Sequence, residues 1–305
     1  MKPSCSGIDI TVAIPVYNRD RFVVRAVESV LNALKKTNLV WEVTILDNHS
    51  TEIGTANVLK KLVEKGVRVS RNPKKVDVLS NWNRSIYESN ARWIHLLHDD
   101  DYVREDFYQK FEECQTVVKE NIQMYISGVM SVNEHEEPLA PVKIGNRHGL
   151  VYNLADDLAV ANLIGNPGVI FKRQHALELG GFSRQVPSYL SDWNFWFKMS
   201  LGQFVFVEPV CLAYYTIHAK SGTLNENHIK LSEVRELVAD QIRVANINPK
   251  KRKTIEYTVG FGRHLIRLNR QQWNYNEAIR MSKETLKHDC SIINLVKTIK
   301  CLLIG

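Results

Sequence analysis

Segments that read as strands and segments that read as helices take turns along the first hundred residues. That alternation limits the fold more than any other property of the chain. Ile8–Val16 is a nearly unbroken apolar and β-branched run, as expected of a strand buried on both faces. It ends at Pro15-Val16-Tyr17-Asn18. Val23, Ala26, Val27, Val30, Leu31 and Leu34 then recur at helical spacing, with Asp20 placed to cap them. Trp41–Leu46 predicts a second strand, ending at Asp47-Asn48-His49-Ser50. A helix near Thr55–Lys65, a short strand Val67–Ser70 stopped by Asn72-Pro73, and a helix around Ser80–Ser89 come next, before another strand opens at Trp93. This order argues for a parallel, doubly wound sheet with crossover helices.

The middle of the chain is more mixed. Met124–Val132 reads as a strand, Pro138 to Gly149 as a turn-rich loop, and Gly168–Phe171 as a short strand. Lys172–Leu179 reads as a helix closed by Gly180-Gly181, glycines suited to a left-handed cap. Asp192–Leu201 predicts a helix opening on an acid; Phe204–Val207 and Cys211–Ile217 predict two strands. From about Asn225 the pattern is helical to the end.

The chemistry concentrates in Trp93-Ile-His-Leu-Leu-His-Asp-Asp-Asp-Tyr102, a buried strand running into three adjacent carboxylates. Like charges repel, and carboxylates are costly to desolvate. A divalent cation, which takes oxygen ligands, is the simplest partner that makes such a cluster favourable. In open α/β sheets, ligands sit beyond the carboxyl ends of the strands, where these residues fall. The alternative is a solvated acidic turn capping a helix that starts near Arg104. Period-2 geometry would set Asp99 and Asp101 on one side of an extended strand. Asp47 also ends a strand; as an acceptor-only group it can receive a base N–H, with Tyr17 on the neighbouring strand stacking on that base. Its plainer role is an ordinary cap or Asx-turn residue.

Several function classes are excluded. No Gly-x-x-x-x-Gly-Lys-Ser/Thr loop is present and no Gly-x-Gly-x-x-Gly follows the first strand, so this is neither a P-loop enzyme nor an ordinary dinucleotide enzyme. The five cysteines (Cys5, Cys114, Cys211, Cys290 and Cys301) are scattered, with no Cys-x-x-Cys pair. They fit free thiols in a reducing compartment. No signal peptide is evident, and no stretch approaches eighteen consecutive apolar residues, so a cytoplasmic chain with no membrane-spanning helix is expected. Residues 226–305 carry 15 Lys and Arg against 8 Asp and Glu, an excess equal to the whole net charge of +7. The basic character therefore belongs to that segment.

Four segments follow one another in a distinctive order and spacing: Thr11-Val-Ala-Ile-Pro-Val-Tyr-Asn-Arg19, Val43-Thr-Ile-Leu-Asp-Asn-His-Ser50, Asn81-Trp-Asn-Arg84 and Leu96-Leu-His-Asp-Asp-Asp101. Further ones are Gly165-Asn-Pro-Gly168, Leu179-Gly-Gly-Phe182, Ser191-Asp-Trp-Asn-Phe-Trp-Phe-Lys198 and Tyr214-Tyr-Thr-Ile-His218. In this arrangement, over roughly residues 8 to 220, the chain resembles the family 2 glycosyltransferases of the bacterial surface-polysaccharide type, inverting enzymes of the GT-A fold. The resemblance implies an α/β fold with a Rossmann-like mixed sheet flanked by helices, in a catalytic domain over residues 1–225; the helical region read over 226–305 lies beyond it. It also implies a nucleoside-diphosphate sugar donor, UDP-sugar first, and a glycan or lipid-linked glycan acceptor. Asp47 would read the base, with Pro15 and Tyr17 lining its pocket and Asn83 and Asp99 near the nucleotide. The Asp99–Asp101 region would hold Mn²⁺ or Mg²⁺ on the diphosphate, joined by His218. Asp192 would be the catalytic base, and the neighbouring Trp193 a stacking surface for an acceptor sugar. Two departures stand out: His98 replaces the first acid of the usual Asp-x-Asp-Asp, so that Asp100 aligns as the best ligand, and Ser191-Asp192 replaces an acidic pair.

The alternatives are a non-catalytic carbohydrate-binding or scaffold protein, which predicts lost carboxylates, and a nucleotidyltransferase, which predicts a glycine-rich basic loop after the first strand. In the tail, Ile292, Leu295, Val296, Ile299, Leu302 and Leu303 share a helical face opposite Lys297 and Lys300. That pattern suits either an interfacial helix on anionic lipid or packing on the catalytic domain. With no interleaved aromatics and no nucleic-acid module, no nucleic-acid partner is expected.

Overall fold

The computed structural model describes residues 7–142, 147–159, 161–218 and 231–246. The strands are β1 Ile10–Val16, β2 Trp41–Asp47, β3 Arg68–Arg71, β4 Trp93–Leu96, β5 Tyr102–Val103, β6 Met124–Asn133, β7 Pro138–Val142, β8 Gly149–Tyr152, β9 Val169–Lys172 and β10 Phe204–Ile217. The helices are α1 Val23–Leu34, α2 Ile53–Glu64, α3 Val78–Tyr87, α4 Phe107–Val117, α5 Ala155–Leu158, α6 Arg173–Glu178, α7 Ser188–Ser200 and α8 Leu231–Val244. All strands join one mixed sheet in the order β3-β2-β1-β4-β9-β6-β10-β5, with β7 on β6 and β8 on β10.

The expected parallel half is β3-β2-β1-β4. Beyond β4 the sheet changes character: β9 is antiparallel to both β4 and β6, while β10 runs parallel to β6 and antiparallel to β5 and β8. One cluster of side chains fills the space against α1, α2 and α4: Val12, Ile14, Val27, Val30, Leu34, Trp93, Phe107, Phe111 and Tyr125 are all buried. Each such side chain contributes about 1.5–3 kcal/mol. α3 packs with α6 and α7, where Phe171, Phe182, Phe195 and Trp196 pack ring against ring.

Several expectations need correction. Pro138 to Gly149 is not simply a loop, because β7 and β8 lie at its two ends and pair with β6 and β10. The two strands read over 204–217 are one strand interrupted by register shifts between Glu208 and Ala213. Pro209 falls there because it has no N–H to give a ladder. Gly128 faces the irregularity, where a Cβ would come 3.0 Å from the Pro209 carbonyl. Phe22, not Asp20, is the N-cap of α1. α7 starts at Ser188 after Pro187, so Asp192 lies inside the helix rather than at its cap. The carboxylates at 99–101 lead into β5, and α4 begins only at Phe107; they do not cap a helix near Arg104. The Gly180-Gly181 closure has the expected geometry, with φ of 77° and 73°.

The chain divides into two compact units. Residues 1–154 and 163–217 form the first, which holds the whole sheet; residues 155–162 and 218–305 form the second. In the second unit α8 buries Val234, Leu237, Val238 and Ile242 at helical spacing. The apolar face read over 292–303 lies outside the described residues.

Candidate active site

In the parallel half the strand order reverses at β1, with β2 on one side and β4 on the other. Connections leave such a point in opposite directions and open a crevice at the carboxyl ends. The loops after β1 and β4 lie there. Leu97 donates its N–H to the Ala13 carbonyl at 3.0 Å as the last contact between these strands, and the chain then turns, with the Asp101 N–H on the His98 carbonyl at 3.2 Å.

Because residues 98–101 form a turn, strand alternation does not govern their side chains. The donor atoms of His98, Asp100 and Asp101 come within 4.8 Å of one another, and Asp99 is not in that group. Asp101 is fully buried. Its Oδ1 accepts the Thr216 N–H at 2.9 Å, whereas its Oδ2 has no hydrogen-bond partner among the described residues and lies 3.8 Å from His98 Nδ1. Burial raises the carboxyl pKa of both Asp99 and Asp101 well above the usual range, and the charge of Asp100 adds to this. Arg19 opposes the shift at Asp99; at Asp101 the Thr216 N–H and Arg25 oppose it. An unpartnered buried carboxylate oxygen beside two further donors fits a divalent cation.

Neighbours hold this turn in place. Arg25 of α1 donates through Nη2 to the Asp100 carbonyl at 2.7 Å and to Thr216 Oγ1 at 2.8 Å. Its guanidinium lies over the Tyr102 ring, 4.4 Å from the centroid. The His98 ring stacks on Trp82 with centroids 5.0 Å apart. Asn166 Nδ2 donates to the Leu96 carbonyl at 3.1 Å and lies 3.2 Å from His98 Nε2. Burial lowers the His98 pKa, and the charge of Asp100 opposes that shift.

At the other end of the crevice Asp47 is 1% exposed. Its Oδ1 accepts the Ser50 N–H at 2.8 Å and its Oδ2 pairs with Arg71 Nη1 at 2.5 Å. Arg71 also donates to the Ser50 carbonyl at 2.7 Å. The half-buried Pro15 pairs with Leu46 in the sheet. Tyr17 has the Lys75 ammonium 3.9 Å above its ring centroid. Asn18, in a left-handed conformation at φ 51°, accepts the N–H groups of Thr51 and Glu52 and so joins the loops after β1 and β2.

The remaining expected site residues each have their own surroundings. Asn83 spends its amide on the backbone of Phe182, accepting its N–H at 2.8 Å and donating to its carbonyl at 3.0 Å. Asp192 is half-buried in α7, with Oδ1 2.6 Å from the Trp193 N–H. Trp193 is 3% exposed, so it offers no open ring face to a sugar; stacking needs such a face, and the core has taken it. His218 is buried directly after the end of β10.

Three residues that shape the site were not singled out from the sequence. Arg71 was within reach: it stands opposite Asp47 in the β2–β3 register, one residue past the end read for that strand. Asn166 sits in the Gly165-Asn-Pro-Gly168 motif, but nothing in that motif points to His98. Arg25 looks like an ordinary solvent-facing helix residue, since its partners lie 75 and 191 positions away.

Residues 11–150 match the family model described as Glycosyl transferase family 2. A relative from Rickettsia bellii, an "Uncharacterized glycosyltransferase", is 29% identical over 145 residues, 47% of this chain; the chain spans 20% of that protein's length. Among solved structures, S. aureus TarS 1–349 in complex with UDP-GlcNAc superposes with a TM-score of 0.64 at 15% identity, covering 96% of this chain and 89% of that one. The mannosyltransferase PcManGT from Pyrobaculum calidifontis, in complex with GDP-Man and Mn²⁺, gives 0.58 at 14% identity, covering 97% and 80%. Over residues 11–150 the chain thus resembles the family 2 glycosyltransferases, and its mixed sheet flanked by helices is shared with TarS and PcManGT and consistent with a GT-A fold.

Proposed function

We propose that this protein is a metal-dependent, inverting glycosyltransferase. It moves a sugar from a nucleoside-diphosphate donor, UDP-sugar first, to a hydroxyl of a glycan or lipid-linked glycan in cell-surface polysaccharide synthesis. The observation that carries this reading is the fully buried Asp101 with its unpartnered Oδ2 beside His98 and Asp100, at the strand-order reversal that also holds Asp47. TarS and PcManGT, which share the fold, were solved with nucleotide sugars, and this supports the donor class.

Asp47 supports uracil. An acceptor-only carboxylate receives the ring N3–H, and the Arg71 guanidinium beside it supplies donors for the flanking carbonyl. Cytosine presents an acceptor at that ring position and is refused. His98, Asp100 and Asp101 would hold Mn²⁺ or Mg²⁺ on the donor diphosphate, with Asp99 toward the nucleotide and His218 as a further expected donor. The metal, when bound, offsets the charge that develops on the departing diphosphate.

Asp192 takes the proton of the acceptor hydroxyl. The acceptor oxygen bonds the anomeric carbon as the bond to the diphosphate breaks on the opposite face, which inverts the configuration. A base within hydrogen-bond reach contributes about 10²–10⁴-fold. Among the described residues no helix is long and apolar enough to cross a membrane. The basic region 226–305 fits a chain resting on the inner face of a membrane from the cytoplasm.

Thermal unfolding with UDP, GDP, CDP and dTDP, each with Mn²⁺ or EDTA, tests the reading. A ligand at a hundred times its Kd stabilises by about 2.7 kcal/mol. Metal-dependent stabilisation by UDP or dTDP is expected; no response to any nucleotide would leave a carbohydrate-binding or scaffold protein as the better account.

A further inference from the structure

The donor set at the acid turn is not all oxygen. His98 stands where the resemblance leads one to expect an acid, and one of its ring nitrogens belongs to the same group of atoms as the carboxylates of Asp100 and Asp101. We infer that His98 is a nitrogen ligand of the divalent cation, and that this site therefore favours first-row transition ions over Mg²⁺ and Ca²⁺. The inference rests on the metal-dependent reading above and adds the chemical class of the ion.

Three observations carry it. First, Nδ1 of His98 is the ring nitrogen facing the unpartnered Asp101 Oδ2, at 3.8 Å. Two donors at that separation, without a hydrogen bond between them, leave room for an ion that touches both; nitrogen and oxygen each bind a transition ion at about 2.0–2.2 Å. Second, the ring is fixed in orientation. Trp82 stacks on one face, and Asn166 sits at the far nitrogen, 3.2 Å from Nε2. Third, Asn166 Oδ1 is buried with no hydrogen-bond partner among the described residues.

A lone pair on Nδ1 requires the ring proton on Nε2, and that proton requires an acceptor. Turning the Asn166 amide over presents Oδ1 to Nε2–H, at the cost of its bond to the Leu96 carbonyl. The result is the outer-shell hydrogen bond that metal-bound histidines nearly always make. Asn166 is thus a positioning residue for the ligand and makes no contact with the ion. Mg²⁺ and Ca²⁺ are hard ions that take oxygen. Imidazole suits the transition series, with affinity rising from Mn²⁺ through Fe²⁺ to Co²⁺.

The test uses the full chain with UDP and Mn²⁺ as a paramagnetic probe, in protein carrying ¹⁵N-histidine or natural histidine. Pulsed electron paramagnetic resonance is expected to detect one directly bound histidine nitrogen in the wild type. The signal should vanish in His98→Asp, which restores an all-oxygen set and still binds Mn²⁺. Calorimetry should find Co²⁺ bound at least about tenfold more tightly than Mg²⁺ in the wild type, with the gap closing in the variant. Mn²⁺ bound without nitrogen coupling, or a coupling that persists in His98→Asp, overturns the inference while leaving the metal-dependent donor site standing. Failure of the wild type to bind Mn²⁺ with UDP overturns both. The wild-type spectrum decides the matter even if the variant does not fold.

Discussion

A histidine in the middle of a buried strand is tolerable only if both ring nitrogens are used. His95 of β4 meets that condition. Nε2 lies 3.0 Å from the Pro167 carbonyl, which can only accept, so the ring proton is on Nε2; Nδ1 then accepts from the Tyr108 hydroxyl at 2.8 Å. Burial pushes the His95 pKa down to about 3, against the opposing pull of the Pro167 carbonyl. The unfolded chain binds a proton on this ring near pH 6.5 while the folded chain does not, so stability falls as pH drops from there toward 3. Between pH 7 and pH 5 the wild type should lose about 2 kcal/mol more than His95→Gln, which no longer titrates there. Urea unfolding at the two pH values measures the difference, and equal losses would show that His95 takes up its proton as readily in the folded state as in the unfolded one. Residues of this kind were not legible as site supports. The strand around His95 was plain from its apolar neighbours, but its hydrogen-bond partners lie 13 and 72 positions away, and no local pattern encodes them. The run at 98–101 was legible because like charges at a strand end are rare without a purpose, and Asp47 because it closes a strand at the sheet's ligand edge. Asp99 proved separable from Asp100 and Asp101 only once the turn was seen.

Between α6 and α7 the chain depends on two glycines that differ in what surrounds them. Both are left-handed, but a Cβ on Gly180 meets nothing within 4 Å, whereas one on Gly181 falls 2.3 Å from Asn83 Oδ1. Gly180→Ala should therefore cost only the backbone penalty, about 1–2 kcal/mol. Gly181→Ala should cost a further 1–3 kcal/mol or about that, because it also drives the Asn83 amide off the Phe182 backbone. Chemical denaturation of both variants checks the ranking. Adding Asn83→Ala to Gly181→Ala should recover part of the loss, as expected for residues in contact. The glycine pair was readable as a helix stop. Its role as the seat for an α3 side chain was not, since the Phe182–Asn83 hydrogen bond beside it spans 99 residues. Element boundaries failed for the same reason: β7 and β8 lack strong apolar alternation, and pairing with β6 and β10 makes them strands.

At the scale of the molecule, the sequence displays its parallel half openly, because a crossover helix separates each strand there from the next in the chain. The antiparallel half is carried by pairings between distant segments and reads as irregular. Charge is also divided unevenly, with the full net +7 residing in residues 226–305. If that segment meets anionic lipid, the full chain should sediment with phosphatidylserine vesicles but not with neutral ones, and be released as salt rises and the Debye length falls to about 3 Å at 1 M; equal behaviour on both would point to packing within the protein. The sheet order has a consequence in time. The acid turn follows β4, but the Thr216 N–H that holds Asp101 comes from β10, 115 residues later, and Arg25 spans 191 residues to reach the same threonine. A chain made from its N-terminus builds the nucleotide end of the crevice first and keeps the acidic end hydrated until β10 docks. Contacts formed after the rate-limiting step alter unfolding rather than folding. In stopped-flow chevrons Arg25→Ala should steepen escape from the native state and leave the refolding limb in place, so that the acidic end, last to assemble, is also the first to come apart.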